Sequence, residues 1–243
     1  MSKETTRRNV LKSIGATATA TTVASFPVSA ASTVDYPRTF ISQNVYDNYS
    51  RYDVMQPTNT VLLSALPGSQ ASAETVYPDV SSASSLDEAH SQFKTFLSNM
   101  NLDPSSDTNV LIVDETKFDN SVYEADSSGN ATTVAGAKHF DEYHKQNDDP
   151  GQYGDNEAYR RWWSMLIGVG LNYGCSYGQG VTYKDSSITD QYDYVRTPMI
   201  VYSQDGTKKT TNNCGDTTYR ISEQATYELR YSDCSMATIE SNN

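Results

Sequence analysis

Three histidines, His90, His139 and His144, are the only imidazoles in the chain, and His139-Phe-Asp-Glu142-Tyr-His144 sets two of them beside a carboxylate. Two imidazoles and a glutamate are ingredients for a zinc-activated water. The spacing argues against it, because five residues turn a helix through about 500° and leave the two rings about 140° apart. The order also differs from the inverted zincin motif, in which glutamate directly precedes the second histidine. His139 and His144 are therefore expected on a solvated surface, and only a loop would bring them together. Asp148, Asp149, Asp155 and Glu157 gather negative charge without the alternation of a calcium loop, and read as a hydrated stretch. Nucleophilic hydrolysis lacks an assembled set, since no Gly-x-Ser-x-Gly elbow is expected and Cys175 has no histidine near it in sequence. Among so many carboxylates some pair will stand at a distance suited to glycoside chemistry, which carries no information.

A second group of residues has spacing without donors. From Ile167 to Gly180 the chain reads Ile-Gly-Val-Gly-Leu-Asn-Tyr-Gly-Cys-Ser-Tyr-Gly-Gln-Gly, and Thr197-Pro198-Met199 follows about 20 residues later. Laid on His-Glu-x-x-His-x-x-Gly-x-x-His, Gly174 takes the glycine that breaks the helix. Ile167, Leu171 and Tyr177 take the ligand positions, and Gly168 takes the glutamate position. Met199 stands where a Met-turn underlies the metal. Over residues 59–240 the chain thus resembles the metzincin zinc peptidases. The resemblance implies an α+β fold: a zincin-like mixed twisted sheet, a central buried helix and an irregular C-terminal module over about residues 175–243.

The departures decide what the resemblance implies for chemistry. Zinc needs three nitrogen or oxygen donors near 2 Å and a carboxylate beside the bound water. Ile167 and Leu171, four apart on one helical face, donate nothing and are expected to fill the metal cavity with methyl groups. Tyr177 could ligate only as a phenolate. The zinc is expected to be lost, with no cofactor in its place and no catalytic residue. Without the resemblance, the same stretch is a buried helix whose small residues Gly170, Gly174 and Gly178 allow close packing.

The elements that would position these residues are partly legible. Asn59 to Leu66 reads as a short buried strand stopped by Pro67-Gly68. Leu86, Ala89, Phe93, Phe96, Leu97 and Met100 recur at helical spacing behind a Ser85/Glu88 capping box, which predicts a helix over 86–100. Asn109 to Asp114 reads as a second buried strand, and Ala131 to Ala137 as an edge strand. Glu157 to Tyr173 is apolar nearly all round and reads as the central helix. A short helix over Ser232 to Glu240 is expected to close the domain. Tyr183, Tyr192, Tyr194 and Tyr202 are expected as an aromatic core under a long loop.

Composition and the N-terminus set the setting. The chain has 243 residues, with 30 acidic and 18 basic side chains. Scattered, outnumbered Lys and Arg exclude a general nucleic-acid binder. Thr6-Arg7-Arg8-Asn9-Val10-Leu11-Lys12, an Ala/Thr-rich stretch and Val28-Ser29-Ala30 resemble a twin-arginine export signal over residues 1–30, with Arg7 and Arg8 as the pair. That route carries chains already folded, which predicts a secreted or cell-surface protein with one domain over residues 31–243. The apolar stretch is too short for a membrane span, and no membrane attachment is expected after cleavage. Cleavage removes Lys3, Arg7, Arg8, Lys12 and Glu4, which leaves 14 basic and 29 acidic groups, a net charge of -15. Such acidity resembles secreted proteins of salt-loving archaea, an ordinary acidic bacterial secretory protein being the alternative. Of Cys175, Cys214 and Cys234, the last two are expected to pair, 20 residues apart. Asn48-Tyr49-Ser50 and Asn130-Ala131-Thr132 are glycosylation sequons.

Two functional classes follow. The first is a secreted metallopeptidase-like pseudoenzyme that binds an extracellular peptide or protein, with an edge strand near Ala131 to Ala137 pairing with an extended ligand. The second is an active secreted hydrolase, a zinc metallopeptidase using His139, Glu142 and His144 or another extracellular hydrolase with an unrecognised site. An extracellular structural protein on an unrelated fold stands behind both.

Overall fold

A computed structural model describes residues 37–66, 71–102, 108–118, 125–147, 150–184, 194–200, 209–211, 213–215, 217–219 and 226–242. The signal segment with Arg7 and Arg8, Pro67-Gly68, Asp148, Asp149, Tyr192 and Tyr202 lie outside the described residues. The elements run Arg38–Ile41 (β1), Gln43–Asn48 (α1), Arg51–Ala65 (α2), Ser72–Ala73 (β2), Leu86–Asn99 (α3), Asn109–Val113 (β3), Ala125–Ser128 (β4) and Ala131–Ala135 (β5). Ala137–Gln146 (α4), Tyr153–Gly154 (β6), Glu157–Asn172 (α5), Thr182–Lys184 (β7), Tyr194–Arg196 (β8), Lys209–Thr211 (β9), Thr217–Tyr219 (β10), Thr226–Glu228 (β11) and Asp233–Asn242 (α6) follow. The chain is a mixed α/β protein.

The main sheet has the order β2-β1-β3-β5-β4. β1 runs parallel to β2 and β3, and β3 parallel to β5, with Ile41 opposite Ile112 and Val110 opposite Thr132. β4 returns antiparallel to β5 through a tight turn at Gly129, whose φ of 67° needs glycine. Apolar residues alternate across the inner strands. Ile41, Val110, Ile112 and Val134 join one core with α2, α4 and α5. Phe40, Leu111, Val113, Ala131 and Ala135 join a second core with Leu86, Ala89, Phe93 and Leu97 of α3. Strands covered on both faces read as unbroken apolar runs, which is why β3 is visible in the sequence.

Two expectations are corrected here. Residues 59–65 belong to α2, not to a strand. Ser50 accepts the Asp53 N–H to cap that helix, and Val54, Thr58, Val61, Leu62 and Ala65 are buried at helical spacing. A short apolar run cannot separate strand from helix, and Pro57 inside the helix hid the periodicity upstream. The strand at Ala131 is not an edge either: β5 lies between β3 and β4, is buried along its whole length, and ends at Ala135. The edge is β4.

The helices start and stop as local chemistry dictates. Ser85 Oγ accepts from Glu88 N, while the Glu88 carboxylate turns back to the N–H and hydroxyl of Ser84. Asn156 caps α5 by accepting from Tyr159 N at 3.1 Å. Within the core Phe140 of α4 stacks on Trp162 of α5 at 4.8 Å, and Trp162 Nε1 donates to Thr58 of α2 at 3.2 Å. A second, small sheet of order β6-β11-β8-β7 and helix α6 follow this layer in the chain, except that β6 precedes α5. Among the described residues no helix is long and apolar enough to cross a membrane.

Candidate functional site

Helix α5 ends in a tight reversal that the sequence specifies. Gly174 has φ of 80°, Gly174 N donates to Leu171 O at 3.0 Å, and Cys175 N donates to Gly170 O at 2.9 Å. These two bonds with a left-handed glycine form a Schellman motif, which satisfies the last carbonyls and turns the chain back. The returning loop is fastened to Met199. Gly178 N and Gly180 N both donate to Met199 O, at 2.8 and 3.0 Å, and Thr197 Oγ1 accepts from Val181 N at 2.8 Å. Met199 has no exposed surface and takes a left-handed φ of 69°, which is costly for an unbranched side chain outside glycine or asparagine. Its Sδ stands 2.8 Å from where a Cβ on Gly170 would be. The turn carrying Met199 therefore seats against the helix at Gly170.

The four remaining motif positions are distributed around that seat. Ile167 and Leu171 are half-buried and pack on the main core. Gly168 points at the sheet: a Cβ there would stand 2.7 Å from Thr132 Cγ2 and 3.1 Å from Ser127 Cβ. A glutamate at 168 would need β4 and β5 to move. Tyr177 is 55% exposed, and its carbonyl accepts from Asn213 Nδ2 at 3.1 Å. Methyl groups at 167 and 171 and a closed position at 168 do not fit a zinc centre with a carboxylate base.

The edge strand is stapled to the same helix by polar groups that no motif flagged. Ser127 Oγ lies 2.8 Å from Gly168 O and 2.7 Å from Asn172 Oδ1, so its proton bridges β4 to α5. Asn172 Nδ2 in turn donates to Thr132 Oγ1 at 3.0 Å. Four residues from three elements thus fix the register of β4 along α5. Periodicity sees Ser127, Thr132 and Asn172 as ordinary polar positions, because the partners lie 40 to 45 residues apart.

The histidines are not free on a solvated surface. His144 Nδ1 is 2.9 Å from Asp53 Oδ1 of α2, and His139 Nε2 is 3.5 Å from Glu115 Oε1 after β3. Both side chains are largely covered. They sit on α4 but use different carboxylates from different elements, and Glu142 pairs with Lys138 at 3.9 Å. No set of three or more His, Cys, Asp or Glu side chains suited to a metal ion occurs among the described residues. His90, on α3, is buried: its Nδ1 is 3.1 Å from Thr133 Oγ1 and its Nε2 2.9 Å from Ser128 Oγ. Burial, with Lys94 adding to it, holds its pKa below the usual imidazole value against the pull of Asp126 and Asp87.

A buried polar network in the small sheet also escaped the sequence. Glu228 accepts from Gln152 Nε2 at 2.6 Å and from Tyr183 OH at 3.1 Å, and Tyr153 OH accepts from Gln152 at 2.7 Å. Burial raises the Glu228 carboxyl above the usual range, while both hydrogen bonds act to lower it. The group ties β6, β7 and β11 together. Tyr183 and Tyr194 are half-buried rather than core, and Asp155 and Glu157 are exposed.

The expectation of no Gly-x-Ser-x-Gly elbow is corrected in form, since residues 174–178 spell Gly-Cys-Ser-Tyr-Gly. An elbow joins a strand to a helix, whereas this segment leaves a helix, and Ser176 is exposed with its N–H given to Gln179 Oε1 at 2.6 Å. The cysteines fall as expected. Cys214 and Cys234 form a disulfide with Cα atoms 6.0 Å apart, and Cys175 is a buried free thiol that burial pushes up to about 11. No family model matches this chain, and no curated protein matches it.

Proposed function

We propose that the chain is a secreted, catalytically inactive protein on a metzincin-like scaffold, exported by the twin-arginine route, which binds an extracellular peptide or protein along the outer edge of β4. The observation that carries this reading is the seat of Met199 against Gly170, below a helix that ends at the left-handed Gly174. Those two features stand at the spacing of the zinc-peptidase pattern, and aliphatic side chains stand at its first two ligand positions. The scaffold reading is supported further by the mixed sheet with one antiparallel edge strand, held against the motif helix by Ser127 and Asn172.

Binding follows from what the edge strand offers. β4 pairs on one side with β5, and among the described residues it has no strand on the other. An extended segment would add there by main-chain hydrogen bonds. The expected edge is thereby moved from Ala131–Ala137 to Ala125–Ser128. Zinc forms no part of this proposed function, because positions 167 and 171 carry no donor and position 168 leaves no space for the base.

The test is metal content. The purified chain, loaded with zinc, freed of excess metal and analysed for elements beside a chelated control, is expected to hold almost none while remaining folded. One tightly bound zinc per chain, removed by chelation together with stability or with peptidase activity, overturns the reading.

A further inference from the structure

The two sequons have the same three-residue grammar, yet the fold treats them oppositely. Asn48 is the last residue of α1 and is exposed. Tyr49 and Ser50 then leave the helix in extended conformation, with φ and ψ of -129° and 159° and of -67° and 117°. Ser50 is exposed as well, and its Oγ accepts one long hydrogen bond from Asp53 N at 3.3 Å. The Asn48 carboxamide donates to Asn44 O at 2.7 Å and Asn44 Oδ1 at 3.2 Å, which are surface bonds that a side-chain rotation replaces with water.

Asn130 opens into the interior. It sits in the β4–β5 turn, half-buried, and its carbonyl accepts Asn109 N at 2.8 Å. Ala131 and Thr132 are fully buried in β5. The Thr132 hydroxyl that a glycosyltransferase must read is held between Asn172 and Ser127 at 3.0 and 3.3 Å, under α5. Exposing it requires separating the helix from the sheet, a far larger opening than a rotamer change.

We propose that Asn48 is the N-glycosylation acceptor of the folded chain and that Asn130 is silent unless the chain is unfolded. The glycan donor is a lipid-linked oligosaccharide. The carboxamide nitrogen of Asn48 forms a bond to the anomeric carbon and loses one proton, and the sugar–phosphate bond breaks to release the lipid phosphate. The proposal deepens the export reading, since a chain that crosses the membrane folded shows its transferase only the surface sequon. A chain threaded across unfolded would show both.

The experiment needs no export. The purified folded chain, and the same chain reduced, alkylated and denatured, are each incubated with membranes carrying an oligosaccharyltransferase and its lipid-linked donor, and tryptic glycopeptides are mapped by mass. The folded chain is expected to gain the glycan mass on the Asn48 peptide alone, and the denatured chain on both. Asn48→Gln removes all modification of the folded chain, and Asn130→Gln changes nothing in it. Modification of Asn130 in the folded chain overturns the proposal, as does an unmodified Asn48 in the folded chain. Export is scored separately, by whether secreted chain begins after Ala30, so failure of that reading is distinguishable from failure of this one.

Discussion

Met199 and Gly170 share one space: the methionine Sδ stands 2.8 Å from where a Cβ at 170 would be, and Tyr231 Cε1 stands 3.1 Å from the same point. Gly170→Ala is expected to cost about 1–3 kcal/mol by overpacking, where an alanine in an ordinary helix interior would stabilise. Met199→Ala is expected to cost about 2–5 kcal/mol through the cavity it leaves. In the double variant the methyl at 170 enters the vacated volume, so the two costs fall short of adding, by about 0.5–3 kcal/mol. Urea denaturation of the four proteins measures this, and strict additivity would remove the seat from the account.

The closed position at 168 gives a second cycle. Gly168→Ala is expected to destabilise, because its Cβ meets the Thr132 methyl, and the Thr132 hydroxyl is tied to Asn172. Thr132→Ser keeps the hydroxyl and deletes the methyl, so the double variant Gly168→Ala/Thr132→Ser should recover part of the loss. If Gly168→Ala alone stabilises by the helix-propensity difference of about 1 kcal/mol, the helix and sheet are not in contact there.

His90 is expected to make the fold sensitive to acid. Its folded pKa is lowered, so the unfolded chain binds the proton more tightly, and stability falls as pH drops below the unfolded value of about 6.5 toward the folded one. Above that window the histidine contributes no pH dependence. His90→Gln retains a hydrogen-bonding side chain without titration, and should lose this slope while costing about 1–3 kcal/mol at about pH 8. Denaturation midpoints measured from about pH 5 to about pH 8 test it: the gap between wild type and variant should narrow in acid. A constant gap would contradict the assignment.

The disulfide and the free thiol make a chemical prediction. Cys214–Cys234 closes a 20-residue loop, and its removal by Cys214→Ser/Cys234→Ser is expected to cost roughly 3 kcal/mol. Cys175, buried and with its pKa raised to about 11, should resist a thiol reagent at neutral pH until the chain is denatured, when one thiol per chain reacts. Rapid reaction of the native protein would place that thiol elsewhere.

What the sequence disclosed follows from the range of the forces involved. α3, β3 and α5 are legible because their signals lie within the element: the Ser85 and Glu88 cap and helical spacing of α3, and the apolar runs of β3 and α5. Asn59–Leu66 reads as a strand because Pro57 masks a helical pattern whose first buried residues, Val54 and Met55, stand before it. The place of β5 inside the sheet was illegible, since small residues such as Ala131 and Thr132 fit an interior strand and an edge equally well. At the candidate site, Gly174 and Met199 were found through local spacing. Ser127, Thr132 and Asn172 were not, and neither was the partnership of Gln152 with Glu228 across 76 residues. Long-range hydrogen bonds leave no period in the chain.

The scaffold reading is tested most directly by returning donors to it. Cobalt affinity is compared between Ile167→His/Leu171→His and Ile167→His/Leu171→His/Tyr177→His, with circular dichroism as the check on folding. On a metzincin-like scaffold position 177 swings back to the helix pair. The triple variant is then expected to bind about one cobalt per chain, on the order of tenfold or more tighter than the double, with a tetrahedral absorption spectrum. Equal affinity in two folded variants would mean that position 177 does not converge on the helix, and would contradict the account.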